Sequence, residues 1–282
     1  MIPQEFDYSA PATLQEALSL IEDGERKILA GGMSLIPLMK LRLSEPGVLI
    51  DIARVSELAG VKKAGDKIEI GALTVHHEVA TSALIRDACP MLTETAALIG
   101  DQQVRNRGTI GGSLAHADPG ADYPAAMLAL DADILIAGAK GKRVAKAGKF
   151  FKGLFTVDLG PDEIITAVQF APVRAAAYAK LHQRASHFAI VGVAAALDLS
   201  GDVIKEARIG VTGATPAARR LASVEHELSG KKASADAIAA ASKHAGEHLK
   251  DVNSDLHASE EYRRAMVAVF TRRALAAALA RA

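Results

Sequence analysis

The stretch "RGTIGGSLAHADPGADYP", Arg107–Pro124, sets a pair of glycines, Gly111 and Gly112, between the hydroxyls of Thr109 and Ser113. Glycine lets a backbone approach a bulky anion closely and adopt positive φ, and successive amides then form an anion nest. An earlier segment, "LAGGMSLIPLMKLRL" (Leu29–Leu43), repeats the arrangement with Ala30, Gly31, Gly32 and Ser34. Two such loops facing each other can hold a pyrophosphate without any lysine. An isolated glycine pair, however, more often marks a turn. Neither G-x-x-x-x-G-K-[ST] nor G-x-G-x-x-G occurs in the chain. Spacing alone therefore leaves a nucleotide binder and a pair of structural turns both open.

Composition narrows the classes. Lys+Arg and Asp+Glu both number 33, so the chain lacks the net positive charge expected of a general nucleic-acid or anionic-membrane binder. Tryptophan is absent and aromatics are 4%, which argues against base stacking as a mode of recognition. A single cysteine, Cys89, excludes an internal disulfide and any cysteine-ligated iron–sulfur cluster or multi-cysteine zinc site within the chain. The start, "MIPQEFDYSAPAT", has no basic segment followed by an apolar one, and no apolar run reaches the roughly 18 residues of a membrane span. The expectation is a cytoplasmic protein with no transmembrane segment.

Along the chain, "ATLQEALSLIEDG" reads as a helix capped at Thr13, with Glu16 reaching back to Thr13 and Gly24 as its stop. "KILA" (Lys27–Ala30) and "VLIDI" (Val48–Ile52) read as buried strands. "VKKAGDKIEIGAL" reads as a hairpin turning at Gly65–Asp66, and "SALIRDACPMLTETAALIG" as helix broken near Pro90. "AAMLAL" is predicted helical, "ADILIAG" and "KRVAK" a strand pair, and "DEIITAVQF" a strand. Beyond a boundary near 172–178, two strands flank Ser200–Gly201–Asp202, and alanine-rich helices follow. The last helix carries a stripe of Met266, Phe270, Ala274 and Ala277. The fold class is α+β in three lobes.

Taken in order, the two glycine loops, "GPDEIITAVQF" and "KLHQRASHFAIVGVAAAL" closely resemble the FAD-binding medium subunits of molybdenum hydroxylases, the carbon monoxide dehydrogenase flavoprotein type. The same module forms the FAD domain of xanthine dehydrogenase, and the resemblance spans essentially the whole chain. It implies a two-lobed FAD-binding domain of the PCMH/vanillyl-alcohol-oxidase type (1–57 and 58–174) followed by a C-terminal α+β domain (175–282) of antiparallel sheet and helices. Leu29, Ala30, Gly31, Gly32, Met33, Ser34, Leu35 and Ile36 are then expected to wrap the FAD pyrophosphate. Thr109, Ile110, Gly111, Gly112 and Ser113 would close on it from the other side. Asp122 matches an acidic cofactor contact, Ile99 and Ile165 match apolar lining positions, and Lys180 matches a lysine near the flavin ring. A cation there stabilises an anionic reduced flavin and raises its potential. Phe188 stands where an aromatic, commonly tyrosine, flanks the flavin, and Met33 replaces the usual histidine or glutamine.

The implied role is electron transfer. A separate molybdenum-cofactor large subunit oxidises substrate, a separate 2Fe-2S small subunit relays electrons, and FAD on this chain passes them to an external acceptor, in a dimer of heterotrimers. No catalytic residue and no metal are expected on this chain. Two other readings stand beside it. A stand-alone FAD-dependent oxidoreductase needs a base over the flavin, for which His116, His182 and His187 are the candidates. A non-catalytic nucleotide-binding protein needs none. His76–His77–Glu78 reads as a polar surface segment, because adjacent ligands diverge and H-E-x-x-H is absent. Cys89 reads as a packed core thiol. His116 and Asp118 are expected to shape the FAD site, while Arg105 and Arg107 either meet phosphate or a partner subunit, or are solvated or hold the loop by ion pairs.

Overall fold

The computed structural model describes residues 2–21 and 26–282. Among the described residues three main sheets, each with its own helices, follow in chain order, and a small two-stranded sheet pairs Phe151–Gly153 with Thr156–Val157.

The first is parallel, with Asp7–Ser9 and Arg26–Leu29 on either side of Val48–Asp51. Parallel neighbours need crossovers, which helices Leu14–Ser19 and Leu35–Lys40 supply. The edge strand Asp7–Ser9 and the helix Leu35–Lys40 were not apparent in the sequence. Strand Arg26–Leu29 is only half-buried, since its apolar side chains meet a thin core around Ala17, Ile50, Ile52, Val55 and Leu58. At the first helix, Thr13 caps the Glu16 amide as expected. The Glu16 carboxylate instead takes the Ala12 N–H at 2.9 Å, one residue before the expected donor. The expected stop at Gly24 lies outside the described residues, and the helix ends at Ser19.

The second sheet is antiparallel, in the order Val61–Ala64, Lys67–Gly71, Glu163–Phe170, Asp133–Gly138, Gly141–Lys146. Its central strand is thus the last to be reached in sequence. Helices Ala83–Ala88 and Pro90–Ala97, broken at Cys89 as the proline requires, pack with Tyr123–Ala129 on this sheet. Strand Glu163–Phe170 serves two cores, because alternate residues face opposite ways: Ile164 joins the first lobe and Ile165 the second. A bulge between Ile165 and Ala167 falls at this junction.

The third sheet runs Ala176–His182, Ala189–Ser200, Val203–Thr212, Arg219–Arg220. Both faces of its central strand are covered. Val193, Ala195 and Leu197 meet the C-terminal helices, while Ala194 and Ala196 belong to the middle core. Small residues are needed there because helix Tyr123–Ala129 lies directly on the sheet backbone: a Cβ at Gly210 would sit 2.2 Å from the Ala125 carbonyl oxygen. On the last helix, Glu260–Leu279, the buried stripe runs through Arg263, Val267, Phe270, Thr271, Ala274, Leu275 and Ala278. Met266 is half-buried and Ala277 exposed, so the expected stripe is one residue out of phase at both ends. Three consecutive alanines at 276–278 gave no apolar contrast from which to choose the phase. Buried Arg263 could not be read as core either. It is there because its guanidinium donates to the carbonyls of Ile190 and Gly213 and to Asp255.

Gly210→Ala is expected to cost on the order of 3 kcal/mol, since two backbones must separate. Gly201→Ala, at a hairpin turn with φ +60° and open space around it, should cost about 1 kcal/mol. Thermal unfolding of the two variants side by side checks the ranking.

Candidate functional site

The two glycine segments meet in space, but they are built differently. The first is an extended crossing into helix Leu35–Lys40. Among the described residues, none of the amides from Ala30 to Leu35 has a hydrogen-bond partner. Gly32 has φ +76°, and its carbonyl accepts from the Ile36 amide. Position 31 admits only glycine, because a Cβ there would lie 2.1 Å from the main-chain oxygen of Arg107.

The second segment is not an open nest. Thr109 caps helix Ile110–His116, and the helix amides are already engaged: Ile110 with Thr74 O, Gly111 with Ala72 O, Gly112 with Thr109 Oγ1 and Ser113 with Thr109 O. Glycine at 111 serves close packing on Ala72, where a Cβ would be 2.5 Å from the Ala72 Cβ. The second segment therefore braces the first and contributes hydroxyls more than amides.

Together they wall a cavity of about 610 Å³ at the junction of the three lobes. Leu29, Ala30, Gly31, Gly32, Met33, Ser34 and Leu35 line it, as do Ile99, Thr109, Gly111, Gly112, Ser113, Asp122, Ile165 and Phe188. Ile36, Ile110 and Lys180 do not: Ile36 underlies Gly32, and Ile110 is buried in the middle core. Lys180 stands behind Asp122, its ammonium 2.8 Å from Asp122 Oδ2 and 2.9 Å from the Leu98 carbonyl. Both side chains are almost wholly buried, at 1% and 5% exposure. Tyr178 donates to the other Asp122 oxygen at 2.5 Å. Burial pushes the Asp122 carboxyl above the usual carboxylate range, opposed by the Lys180 ammonium and by both hydrogen bonds. Tyr178 was missed, although strand alternation puts it on the face of Lys180, two residues on.

His76 corrects the reading of a polar surface segment. Its side chain is buried at the cavity wall, 5.3 Å from the Tyr123 ring, and its Nδ1 has no partner among the described residues. Burial, and then the Arg105 charge, lower its pKa to about 4. Arg105 itself holds the cavity rim, donating to the carbonyls of Ile99 and Gly100. The side chain of Arg107 is exposed; its main-chain oxygen makes the glycine crossing. His116 lines the cavity beside Phe155, and burial lowers its pKa. Asp118 Oδ1 accepts the Gly120 amide. His182 is exposed and lies outside the lining. Cys89 is fully buried, and burial pushes its thiol up to about 12, as befits a core thiol. Among the described residues, no three His, Cys, Asp or Glu side chains group as metal ligands.

Residues 4–173 match the family described as FAD binding domain in molybdopterin dehydrogenase, and residues 176–278 match the CO dehydrogenase flavoprotein C-terminal domain. The chain belongs to this flavoprotein family. It is 38% identical to the carbon monoxide dehydrogenase medium chain of Hydrogenophaga pseudoflava, covering 100% of this chain and 99% of that one. It is 36% identical to the glyceraldehyde dehydrogenase medium chain of Sulfolobus acidocaldarius, covering 97% and 98%. The solved carbon monoxide dehydrogenase of H. pseudoflava superposes with a TM-score of 0.95 over 100% of this chain and 99% of that one, at 38% identity. Quinoline 2-oxidoreductase of Pseudomonas putida 86 gives a TM-score of 0.93 and 34% identity over 99% of both chains. The flavoprotein is thus the medium, FAD-binding subunit type of a molybdenum hydroxylase, an oxidoreductase, with FAD as its cofactor. Unpartnered amides beside two hydroxyls, Ser34 and Ser113, are the donor set that a diphosphate requires.

Because His76 is neutral in the fold and protonatable when unfolded, its burial stabilises fully above about pH 6.5, and that stabilisation is lost as pH falls toward 4. His76→Gln should shrink the fall in Tm between about pH 7.5 and about pH 5 relative to the parent. Equal falls in both proteins would mean that other groups carry the pH dependence.

Proposed function

We propose that this chain is the electron outlet of a molybdenum hydroxylase. It receives electrons from a 2Fe-2S small subunit, which draws them from a molybdenum-cofactor large subunit, and it delivers them to an external acceptor. The observation that carries the reading is the run of unpartnered amides from Ala30 to Leu35 at the cavity wall, braced by the Gly31 crossing. When bound, FAD supplies a two-electron store that exchanges electrons singly. The amides and the hydroxyls of Ser34 and Ser113 hold its diphosphate without a formal positive charge. The apolar side chains of Ile99 and Ile165 exclude water from the walls. The paired charges of Asp122 and Lys180 present a dipole to the cavity rather than a bare cation, so any influence of Lys180 on bound FAD would pass through Asp122 and be weaker than that of an unpaired ammonium.

The relatives' names support a divided complex: two are medium chains, and a third, 39% identical over 289 residues, is the 6-hydroxypseudooxynicotine dehydrogenase complex subunit alpha. The single cysteine, buried and held as a thiol, supports clusters on another chain. A dimer of heterotrimers in the cytoplasm suits this reading. Domain limits of 1–57, 58–174 and 175–282 are supported by the three cores and by the matches to 4–173 and 176–278. For a stand-alone oxidase, none of His116, His182 and His187 hydrogen-bonds a carboxylate among the described residues. No observation favours that reading, nor the non-catalytic one.

Gly31→Ala should abolish FAD retention, because its Cβ meets main chain. Gly112→Ala, whose Cβ would meet only the Thr109 hydroxyl at 2.9 Å and Ala30 Cβ at 3.7 Å, should retain most of it. The ratio of flavin to protein absorbance reads this directly. Purified from its native source, the tagged chain should bring down two further chains with molybdenum and iron. A chain that runs alone and turns over substrate without molybdenum would sink the outlet role.

A further inference from the structure

The turn that joins strands Ala176–His182 and Ala189–Ser200 contributes Ser186, His187 and Phe188 to the cavity wall, and all three stay exposed to solvent, which puts the turn at the cavity's open edge. This turn is closed on itself. Gln183 Oε1 accepts from the amides of Ala185 and Ser186 and from the Ser186 hydroxyl, and the Gln183 and His187 main chains add two further bonds. His187 at its end has φ +61°, a left-handed conformation uncommon for a non-glycine residue. Besides its main-chain bond within the turn, His187 makes a bond across the lobes: Nδ1 lies 3.0 Å from the Gly100 carbonyl oxygen. A carbonyl only accepts, so Nδ1 carries the proton. Gly100 is itself fixed, since Arg105 donates to the same oxygen at 3.1 Å. On the other side of the strap, the Ala189 amide donates to Gly120 O at 3.0 Å. Between these two pins stands Phe188. It lines the cavity, stays 49% exposed, and packs so closely on Gly120 that a Cβ there would be 3.3 Å from its ring.

We propose that His187 is a positioning residue that pins this strap, so that Phe188 screens the cavity mouth and limits how far a small external acceptor reaches bound FAD. The proposal rests on the reading of the cavity as the FAD site. It makes the choice of electron acceptor depend on a contact between lobes as well as on the aromatic ring itself.

The test uses the full FAD-loaded chain, with flavin content measured for each variant. Two probes report exposure of the flavin: iodide quenching of its fluorescence and the rate at which sulfite bleaches its visible band. His187→Ala and His187→Gly should raise both by about two- to fivefold, the population shift that loss of one hydrogen bond allows. His187→Asn should stay near the parent, because asparagine tolerates left-handed backbone and its amide N–H can replace Nδ1. Phe188→Ala should give the largest rise. If Phe188→Ala rises and His187→Ala does not, the strap is held without His187 and the proposal fails while the site reading stands. Failure of His187→Asn to rescue overturns the hydrogen bond as the cause. No change in Phe188→Ala overturns the placement of the flavin behind it.

Discussion

Gly31 crosses the main chain at Arg107–Gly108 with no room for a single carbon between them. This contact brings the parallel first lobe against the helical edge of the second. It also explains why the first segment keeps its amides free. Its backbone is braced by van der Waals contact with a neighbouring backbone, so the N–H groups need not be spent on holding it in place. The second segment does the reverse, with its amides tied to Ala72, Thr74 and Thr109 so that it forms a rigid abutment. One loop keeps its amides free and the other supports it.

The third lobe enters the site through charge. Lys180 and Tyr178, from its first strand, reach Asp122 at the start of a middle-lobe helix, and Lys180 also takes the Leu98 carbonyl. A buried carboxylate without these partners would be costly, and a buried ammonium equally so. The pair forms only where the two lobes meet, which ties the geometry of the cavity wall to docking of the C-terminal sheet. The same sheet sends Thr212 and Gly213 to the carbonyls of Pro119 and Ala121, so the segment before Asp122 is held from both sides.

Much of the fold was legible. The broken helix at Pro90, the hairpin at Gly65–Asp66, the strand pairs and the final helix all follow from local periodicity and from proline and glycine chemistry. The omissions share a cause. Strand Asp7–Ser9 is three residues long and half-exposed, and helix Leu35–Lys40 contains a proline at its third position, so neither has enough local signal. The His76–His77–Glu78 run gave no ligand spacing and so read as polar surface, yet one face of a short helix is enough to bury His76. The phase of the last helix was lost in a run of alanines, where hydrophobic contrast vanishes.

For the site, the sequence by itself pointed to many of the residues that line the cavity, but it also pointed to Ile36, Ile110 and Lys180, which do not, and passed over His76 and Tyr178. The order of four motifs named the family and the cofactor, and the lone cysteine excluded cluster ligation on this chain. Tertiary structure alone decided which amides are free, since that depends on who else claims them: Gly111 and Gly112 look like Gly31 and Gly32 in a string of letters, but their N–H groups point at Ala72 and Thr109. It also decided that Lys180 is paired and that His187 meets the Gly100 carbonyl of another lobe. Hydrogen-bond satisfaction and charge pairing are settled between segments distant in the chain, and no local pattern encodes them.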